Sequence, residues 1–252
     1  MCIRDRLNGY KFFEEEQRIC GPPRIYREAD RQKLPGRAQF YNHLCATHPQ
    51  IRFYIFPTLR VEDWCAIAGV YGDAHAYFAG DDYVREFRTL LDSSIGYGWA
   101  AEGLTSAEAI SWYYRTDHHW CFDGAYNAYC QIWQMFRSQN PQTGKLLEPL
   151  EWMKLPGLCF YGSYARRAGY FDQIHDVIIN ARFDMPEMEV RVHGAEHQGR
   201  NKREQYKAGN YDAAQFANHY ASFFGSDYGL IEYTCKTGSA SLLVLSDSYD
   251  NC

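Results

Sequence analysis

Apolar and polar positions along the chain fall into alternating helix-like and strand-like stretches. Residues 7–35 are polar and interrupted by Gly21-Pro22-Pro23, which predicts a loop or a short helix. Over residues 37–45, Ala38, Phe40, Tyr41, Leu44 and Cys45 recur at helical spacing, and Pro49 ends the segment. Residues 51–56 are rich in β-branched and aromatic side chains and stop at Pro57, the pattern of a strand. An amphipathic helix is expected over 81–91. Gly80-Asp81-Asp82 reads as its cap, because Val84, Glu86 and Arg88 lack the oxygen pattern of a calcium loop. Residues 106–113 are ambiguous. A further helix begins at Asp123 or Gly124, where Ala125, Tyr129, Ile132 and Phe136 form one apolar stripe that reads as core. Residues 139–149 are a turn-rich connection, and 158–163 run strand-like into a glycine turn. Residues 188–192 and 230–233 read as strands, with an exposed polar loop over 194–209. Residues 241–249 open with an almost continuous apolar run, which predicts a strand buried on both faces of a parallel sheet. Helices close to buried strands point to an α/β layer architecture.

Composition narrows the classes. The chain has 252 residues, 46% of them hydrophobic, which is enough for one sizeable core and one domain. Its 21 tyrosines and six tryptophans suit the wide, half-wet grooves of carbohydrate-handling proteins. The charge count, 31 acids against 26 bases, gives −5 with no basic block beyond Asn201-Lys202-Arg203, so no nucleic-acid partner is expected. Nine cysteines without a Cys-x-x-Cys pair argue against a zinc ribbon and a thioredoxin-type site. Their odd number and irregular spacing argue against a complete disulfide framework, so most read as small buried hydrophobes. No run of eighteen apolar residues and no signal-peptide core is present. Residues 1–6 resemble translated adapter sequence and are set aside, which leaves 7–252 as a single, incomplete domain. An export signal or membrane anchor is expected in sequence beyond this chain.

The chemistry concentrates in residues 113–120, Tyr-Tyr-Arg-Thr-Asp-His-His-Trp. Asp117 and His119 are two apart, so an extended backbone sends both side chains to one face. A carboxylate placed there can hold an imidazole in one tautomer, as in a Ser-His-Asp triad. The same residues equally suit a hydrogen-bonded structural corner. Ser246-Asp247-Ser248 closes the last apolar run where a helix is expected next, so amide N–H groups would point at a developing oxyanion near Ser248. Taken alone, such a block more often caps the following helix. His193-Gly194-Ala195-Glu196-His197 matches a zinc-peptidase spacing, but Gly194 and the flanking Gln198-Gly199-Arg200-Asn201 disfavour the helix that metal would need. A solvated loop is expected there, and His118 reads as a hydrogen-bonded neighbour of the pair. No metal and no cofactor are expected.

Tyr114-Arg115-Thr116-Asp117-His118-His119-Trp120, followed by Gly124-Ala125-Tyr126 and Tyr129, resembles the signature of the DHHW protein family. The likeness continues in Phe160-Tyr161-Gly162-Ser163, in Asn218-His219-Tyr220 through Phe223-Phe224-Gly225, and in residues 243–249. That family resembles the SGNH hydrolases. It is similar in organisation to periplasmic alginate O-acetyltransferase proteins, which also place Asp-x-His-Trp ahead of a nucleophilic serine. The resemblance implies a three-layer α/β/α sandwich with a mainly parallel sheet, here truncated at its C-terminal end. It implies Ser248 as nucleophile, His119 as general base and Asp117 as its orienter, with the Ser248 N–H in the oxyanion hole. Ser246 stands where that block usually has glycine. No Gly-x-Asn-Asp block supplies a second oxyanion donor, which leaves Asn251 or Arg166 for that part. The implied activity is O-acetyl transfer to, or removal from, a cell-envelope or secreted polysaccharide, in an extracytoplasmic setting. The alternative is a non-catalytic carbohydrate-binding or assembly protein on the same fold.

Overall fold

A computed structural model describes residues 3–5, 9–23, 27–72, 80–155, 158–169, 174–196, 214, 216–220, 229–236, 238 and 240–247. The chain opens with an antiparallel sheet of three short strands, β1 (Ile3–Asp5), β2 (Lys11–Phe13) and β3 (Arg18–Cys20), in the order β1-β2-β3. This corrects the first part of the loop or short helix expected over 7–35. Phe12, Phe13, Ile19 and Cys20 are buried in the main core. Strands of three residues are too short to impose a period, and the charged turn Glu14-Glu15-Glu16-Gln17 dominates the local pattern.

A short α1 (Glu28–Arg31) leads into α2 (Leu34–Thr47), with Pro35 in its first turn. Next come β4 (Tyr54–Ile55), α3 (Val61–Ile67), α4 (Gly80–Leu90) and β5 (Gly96–Tyr97). Leu34 and Ala38 of α2 pack against Phe87 of α4. The α4 helix falls where its amphipathic pattern placed it, and residues 106–113 resolve as α5 (Ser106–Ser111). The Thr105 hydroxyl accepts from the Glu108 N–H, while the Glu108 carboxylate accepts from the Thr105 N–H, a capping box. The α6 helix (Phe122–Gln139) follows, then β6 (Glu151–Lys154), α7 (Ser163–Ala168) and β7 (Ile179–Arg182). Gly169 ends α7 at φ 68°, the left-handed position that favours glycine. The last elements are β8 (Met188–Val192), β9 (Ala195–Glu196) and β10 (Ile231–Cys235), an antiparallel sheet in the order β10-β8-β9.

The fold is therefore mixed α/β, as expected, but its described sheets are small and mostly antiparallel. Among the described residues β4 and β5 form the one parallel pair. The expected mainly parallel sheet is not what these strands build, because most join sequence neighbours through short connections that only antiparallel pairing allows. Residues 241–247 are a second correction. They are not in a strand, and Leu242, Leu243, Val244 and Leu245 are exposed, Leu245 to 87%. Burying both faces of a strand takes neighbours on each edge and a layer on each side, and none of the described sheets takes this run in. His193 and Gly194 form the β8–β9 turn, both at positive φ, so the His-x-x-Glu-His spacing starts in a hairpin and not a helix. His197 lies outside the described residues.

Two apolar cores flank residues 113–120. Tyr113 and Trp120 enter the larger, with Phe12, Phe13, Ile19, Val61, Trp64 and Tyr164. Tyr114 enters the smaller, with Phe122, Leu158, Phe160, Ile178 and Tyr220. Successive side chains thus leave opposite faces and anchor the loop from both sides.

Candidate active site

The Asp-x-His stretch is a tight reverse loop between α5 and α6. Tyr113 pairs with Trp120 in an antiparallel bridge, the Tyr114 N–H donates to the His119 carbonyl at 3.1 Å, and Cys121 N–H to Trp112 O at 2.8 Å. Gly124 makes that closure possible, since a Cβ there would collide with the Trp112 carbonyl oxygen. Arg18, only 3% exposed, grips the loop's stem. Its guanidinium donates to the carbonyls of Tyr114 (2.5 Å), Tyr113 (2.9 Å) and Ile110 (3.0 Å), and the Ile19 N–H donates to Arg115 O at 2.9 Å. A buried cation is tolerable only with such compensation. The β2–β3 hairpin therefore fixes the loop's backbone.

Asp176 holds the tip. Its carboxylate accepts from Arg115 N–H (3.0 Å), Thr116 N–H (2.8 Å) and the Thr116 hydroxyl (2.6 Å). The start of α7 closes from the third side. Gly162 N–H donates to Thr116 Oγ1 at 2.9 Å, Ser163 N–H to Asp117 Oδ2 at 2.5 Å, and Tyr164 N–H to the Thr116 carbonyl at 3.0 Å. Gly162 leaves no room for a side chain: a Cβ would strike Asp117 Cβ and the Thr116 carbonyl oxygen.

Asp117 and His119 are brought together as their spacing suggested. Asp117 is 2% exposed, and its Oδ1 accepts from His119 Nδ1 at 2.6 Å and from His119 N–H at 3.0 Å. Burial by itself would raise the Asp117 pKa. The His119 hydrogen bond, the charges of both imidazoles and the Ser163 N–H outweigh it and hold the carboxyl well below the usual carboxylate range. With Nδ1–H directed at this carboxylate, the neutral His119 ring carries its lone pair on Nε2. The ring is stacked on Tyr220, with centroids 4.1 Å apart and planes at 10°. Neighbouring His219 is fully buried, its Nε2 3.2 Å from Ala214 O, which fixes the segment that carries the stack.

His118 sits differently. Its ring lies 3.7 Å from that of His119, with Nδ1 2.8 Å from Ser163 Oγ and 3.3 Å from Asp117 Oδ1. Burial, helped by the positive charges of His119, Arg167 and Arg60, outweighs the pull of Asp117 and pushes its pKa down to about 4. The two adjacent imidazoles thus have different environments. Asp117, His118 and His119 also present donor atoms within 4.8 Å of one another, a set of the kind that binds zinc. Here the Nδ1 atoms of both rings are engaged by Asp117 and Ser163.

Arg166 lies on α7, half-buried, and donates to the Tyr161 carbonyl at 2.9 Å; burial lowers its pKa. Ser248 and Asn251 lie outside the described residues. Reading the sequence missed Arg18, Asp176 and Tyr220 as site-shaping groups. Arg18 and Asp176 carry no local signal, since each acts on a loop about sixty or more positions away. Thr116, Gly162 and Ser163 stood inside quoted motifs, but nothing in their spacing shows that they meet.

Fold comparison finds solved structures that share this architecture. The chain resembles Bacillus cereus PatB1 at a TM-score of 0.64, with 16% identity over 99% of this chain and 81% of PatB1. A second structure of PatB1, with a sulfonyl adduct, gives a TM-score of 0.69 and 14% identity, covering 99% and 80%. A DHHW family protein from Eubacterium siraeum gives 0.59 and 16%, covering 95% and 76%. The DHHW resemblance read from the motifs thus returns as a shared fold. No family model and no curated protein matches the chain. Among the described residues no helix is long and apolar enough to cross a membrane.

Proposed function

We propose that the protein carries out serine-based acyl transfer on carbohydrate, on an SGNH-type α/β/α scaffold. The observation that carries this is the 2.6 Å bond between an ionised, buried Asp117 and His119 Nδ1, at a loop fixed from three sides. It is the arrangement that orients an imidazole as a general base and stabilises its protonated form. Ser248, in the Ser246-Asp247-Ser248 block, is the nucleophile of this reading. Its oxygen attacks an acyl carbonyl while His119 Nε2 takes the hydroxyl proton. His119 then returns the proton to the leaving group and activates the acceptor. Water as acceptor makes an acetylesterase; a sugar hydroxyl makes an O-acetyltransferase. The Ser248 N–H, with Asn251 or Arg166, receives the oxyanion. The sulfonyl adduct on PatB1 supports the reading, because sulfonyl electrophiles are trapped by activated nucleophiles. A cell-envelope or secreted polysaccharide as substrate, and an extracytoplasmic location, complete the proposal.

The test is labelling with a sulfonyl fluoride and a fluorophosphonate, read by intact-protein mass. One adduct is expected on the protein and none on Ser248→Ala. Asp117→Asn should label about 10³- to 10⁴-fold more slowly, from the wrong tautomer. Labelling that survives in Ser248→Ala refutes the serine mechanism. Absence of labelling and of acetate release, with glycan binding indifferent to His119→Ala, would identify a non-catalytic binding module instead.

A further inference from the structure

A second pair of reactive side chains lies behind the loop, away from the acid–base pair. Cys20 ends β3 and Cys65 lies on α3, and both are fully buried. Their sulfurs are 3.5 Å apart. The backbone beside them is already fixed: Gly21 N–H donates to Glu62 Oε1 at 3.2 Å, and the Tyr71 hydroxyl donates to Gly21 O at 2.9 Å. Glu62 is held in turn by the Tyr164 hydroxyl and by Arg60, 3.1 Å away. The two thiols therefore face each other across a seam that its own hydrogen bonds keep in register. A disulfide has its sulfurs about 2.05 Å apart, so they must close by about 1.5 Å, a movement within reach of side-chain torsions.

We propose that Cys20 and Cys65 are a cross-linking site, and that they close into a disulfide when the chain folds in an oxidising setting. The oxidant is a small-molecule disulfide. One cysteine thiolate attacks it, forms a mixed disulfide and releases one thiol. The second cysteine thiolate then attacks the protein-bound sulfur and releases the other thiol. Two protein thiols and one oxidant disulfide become one protein disulfide and two small thiols. The folded, reduced pair is slow to react. Contact with Cys65 and then burial raise the Cys20 pKa well above that of an ordinary thiol, and only thiolates exchange. Closure therefore belongs to folding, before the seam is covered. The bond ties the hairpin that carries Arg18 to α3, so it braces the loop of the acid–base pair from behind. These two positions depart from the expectation that most of the cysteines serve as small buried hydrophobes.

The experiment is refolding from denaturant with oxidised and reduced glutathione, alkylation under denaturing conditions, and non-reducing peptide mapping. The expected result is one linked peptide joining Cys20 to Cys65, two hydrogens lighter than the sum of its halves. The oxidised protein should melt about 10 °C above the same sample in dithiothreitol, the gain expected from closing a loop of this length. The Cys20→Ala, Cys65→Ala double variant should melt at one temperature with or without reductant. Full alkylation of both cysteines after oxidative refolding, or a melting temperature indifferent to dithiothreitol, overturns the proposal. The wild-type map decides it even if the double variant does not fold.

Discussion

Placement of the Asp117 carboxylate rests on the absence of a side chain at residue 162, and Gly162→Ala tests this. The added Cβ would lie 2.6 Å from the Thr116 carbonyl carbon and closer still to that carbonyl's oxygen and to Asp117 Cβ. Carbon atoms rest at about 3.5–4.0 Å, so α7 and the loop must part by about 1 Å. Four successive main-chain N–H groups cross that seam: Gly162 to Thr116 Oγ1, Ser163 to Asp117, and Tyr164 and Ala165 to Thr116 O. Overpacking alone costs about 1–3 kcal/mol. Stretching the bond to the ionised Asp117 forfeits part of a further 1.5–3 kcal/mol or so. The expected loss is about 3–4 kcal/mol, a fall in Tm on the order of 10 °C for a chain of this size. Gly144→Ala is the control. Nothing lies within 4 Å of its Cβ position, so it should stay within about 0.5 kcal/mol of the parent. It also absorbs the general effect of glycine-to-alanine change on the unfolded chain. The assay is scanning calorimetry on both variants, with sulfonyl fluoride labelling below both transitions. If Gly162→Ala melts alongside Gly144→Ala, the account of the seam fails.

The other expectations use separate handles. Thr116→Val keeps shape but removes the hydroxyl that donates to Asp176 and accepts from Gly162 N–H, so urea denaturation should show a loss of about 2–3 kcal/mol, largely restored in Thr116→Ser. His118 is held at about 4 in the folded chain against 6.5 for a free imidazole, so the unfolded chain binds the extra proton between those values and stability falls as pH drops through that window. His118→Gln should flatten the Tm–pH curve from pH 6.5 to 4; an unchanged slope would count against the burial argument. Tyr220→Leu removes the face that orients His119 and should slow labelling about 10- to 100-fold at a temperature where both proteins are folded. The proposed serine mechanism routes no step through a metal ion, so chelator treatment should leave labelling unchanged; loss of labelling with chelator would count against it.

What the sequence disclosed follows the reach of each interaction. α4 and β8 are legible because their patterns are local: an amphipathic repeat over 80–90 and alternation over 188–192. The Asp117–His119 bond is legible for the same reason, being set by two positions of one backbone. The β2–β3 hairpin is not, since what makes it a core element is its contact with α3, where Cys20 meets Cys65, and with α7 rather than any period of its own. Arg18 shows the limit most clearly. Read locally, it is a charge next to a polar turn, and its three carbonyl acceptors lie more than ninety positions away. The run at 242–245 fails in the opposite sense. Its apolar pattern is real, but a buried strand also needs partners, and no local pattern reports on partners.

The pair of histidines shows how one loop separates two chemically identical side chains. Both rings lie beside the same carboxylate oxygen, at 2.6 Å and 3.3 Å. The shorter contact belongs to His119, whose main-chain N–H also bonds Oδ1, so backbone and ring are fixed together and a proton gained at Nε2 is balanced by a charge already in place. His118 has the longer contact, and burial together with the positive charges of His119, Arg167 and Arg60 outweighs the pull of Asp117 and opposes a second charge. A doubly protonated pair with ring centroids 3.7 Å apart would be costly, and suppressing protonation of His118 avoids it. Ser163 is central to that separation. Its N–H holds Asp117 and its hydroxyl holds His118, so one residue at the start of α7 sets both environments. Ser163→Ala, which keeps the N–H and loses the hydroxyl, should therefore disturb His118 while sparing the Asp117–His119 bond. In NMR spectra at fixed pH the His118 ring signals should move while the His119 Nδ1 proton signal, set by its bond to Asp117, should hold; parallel changes in both would show that the two rings are not separated in this way.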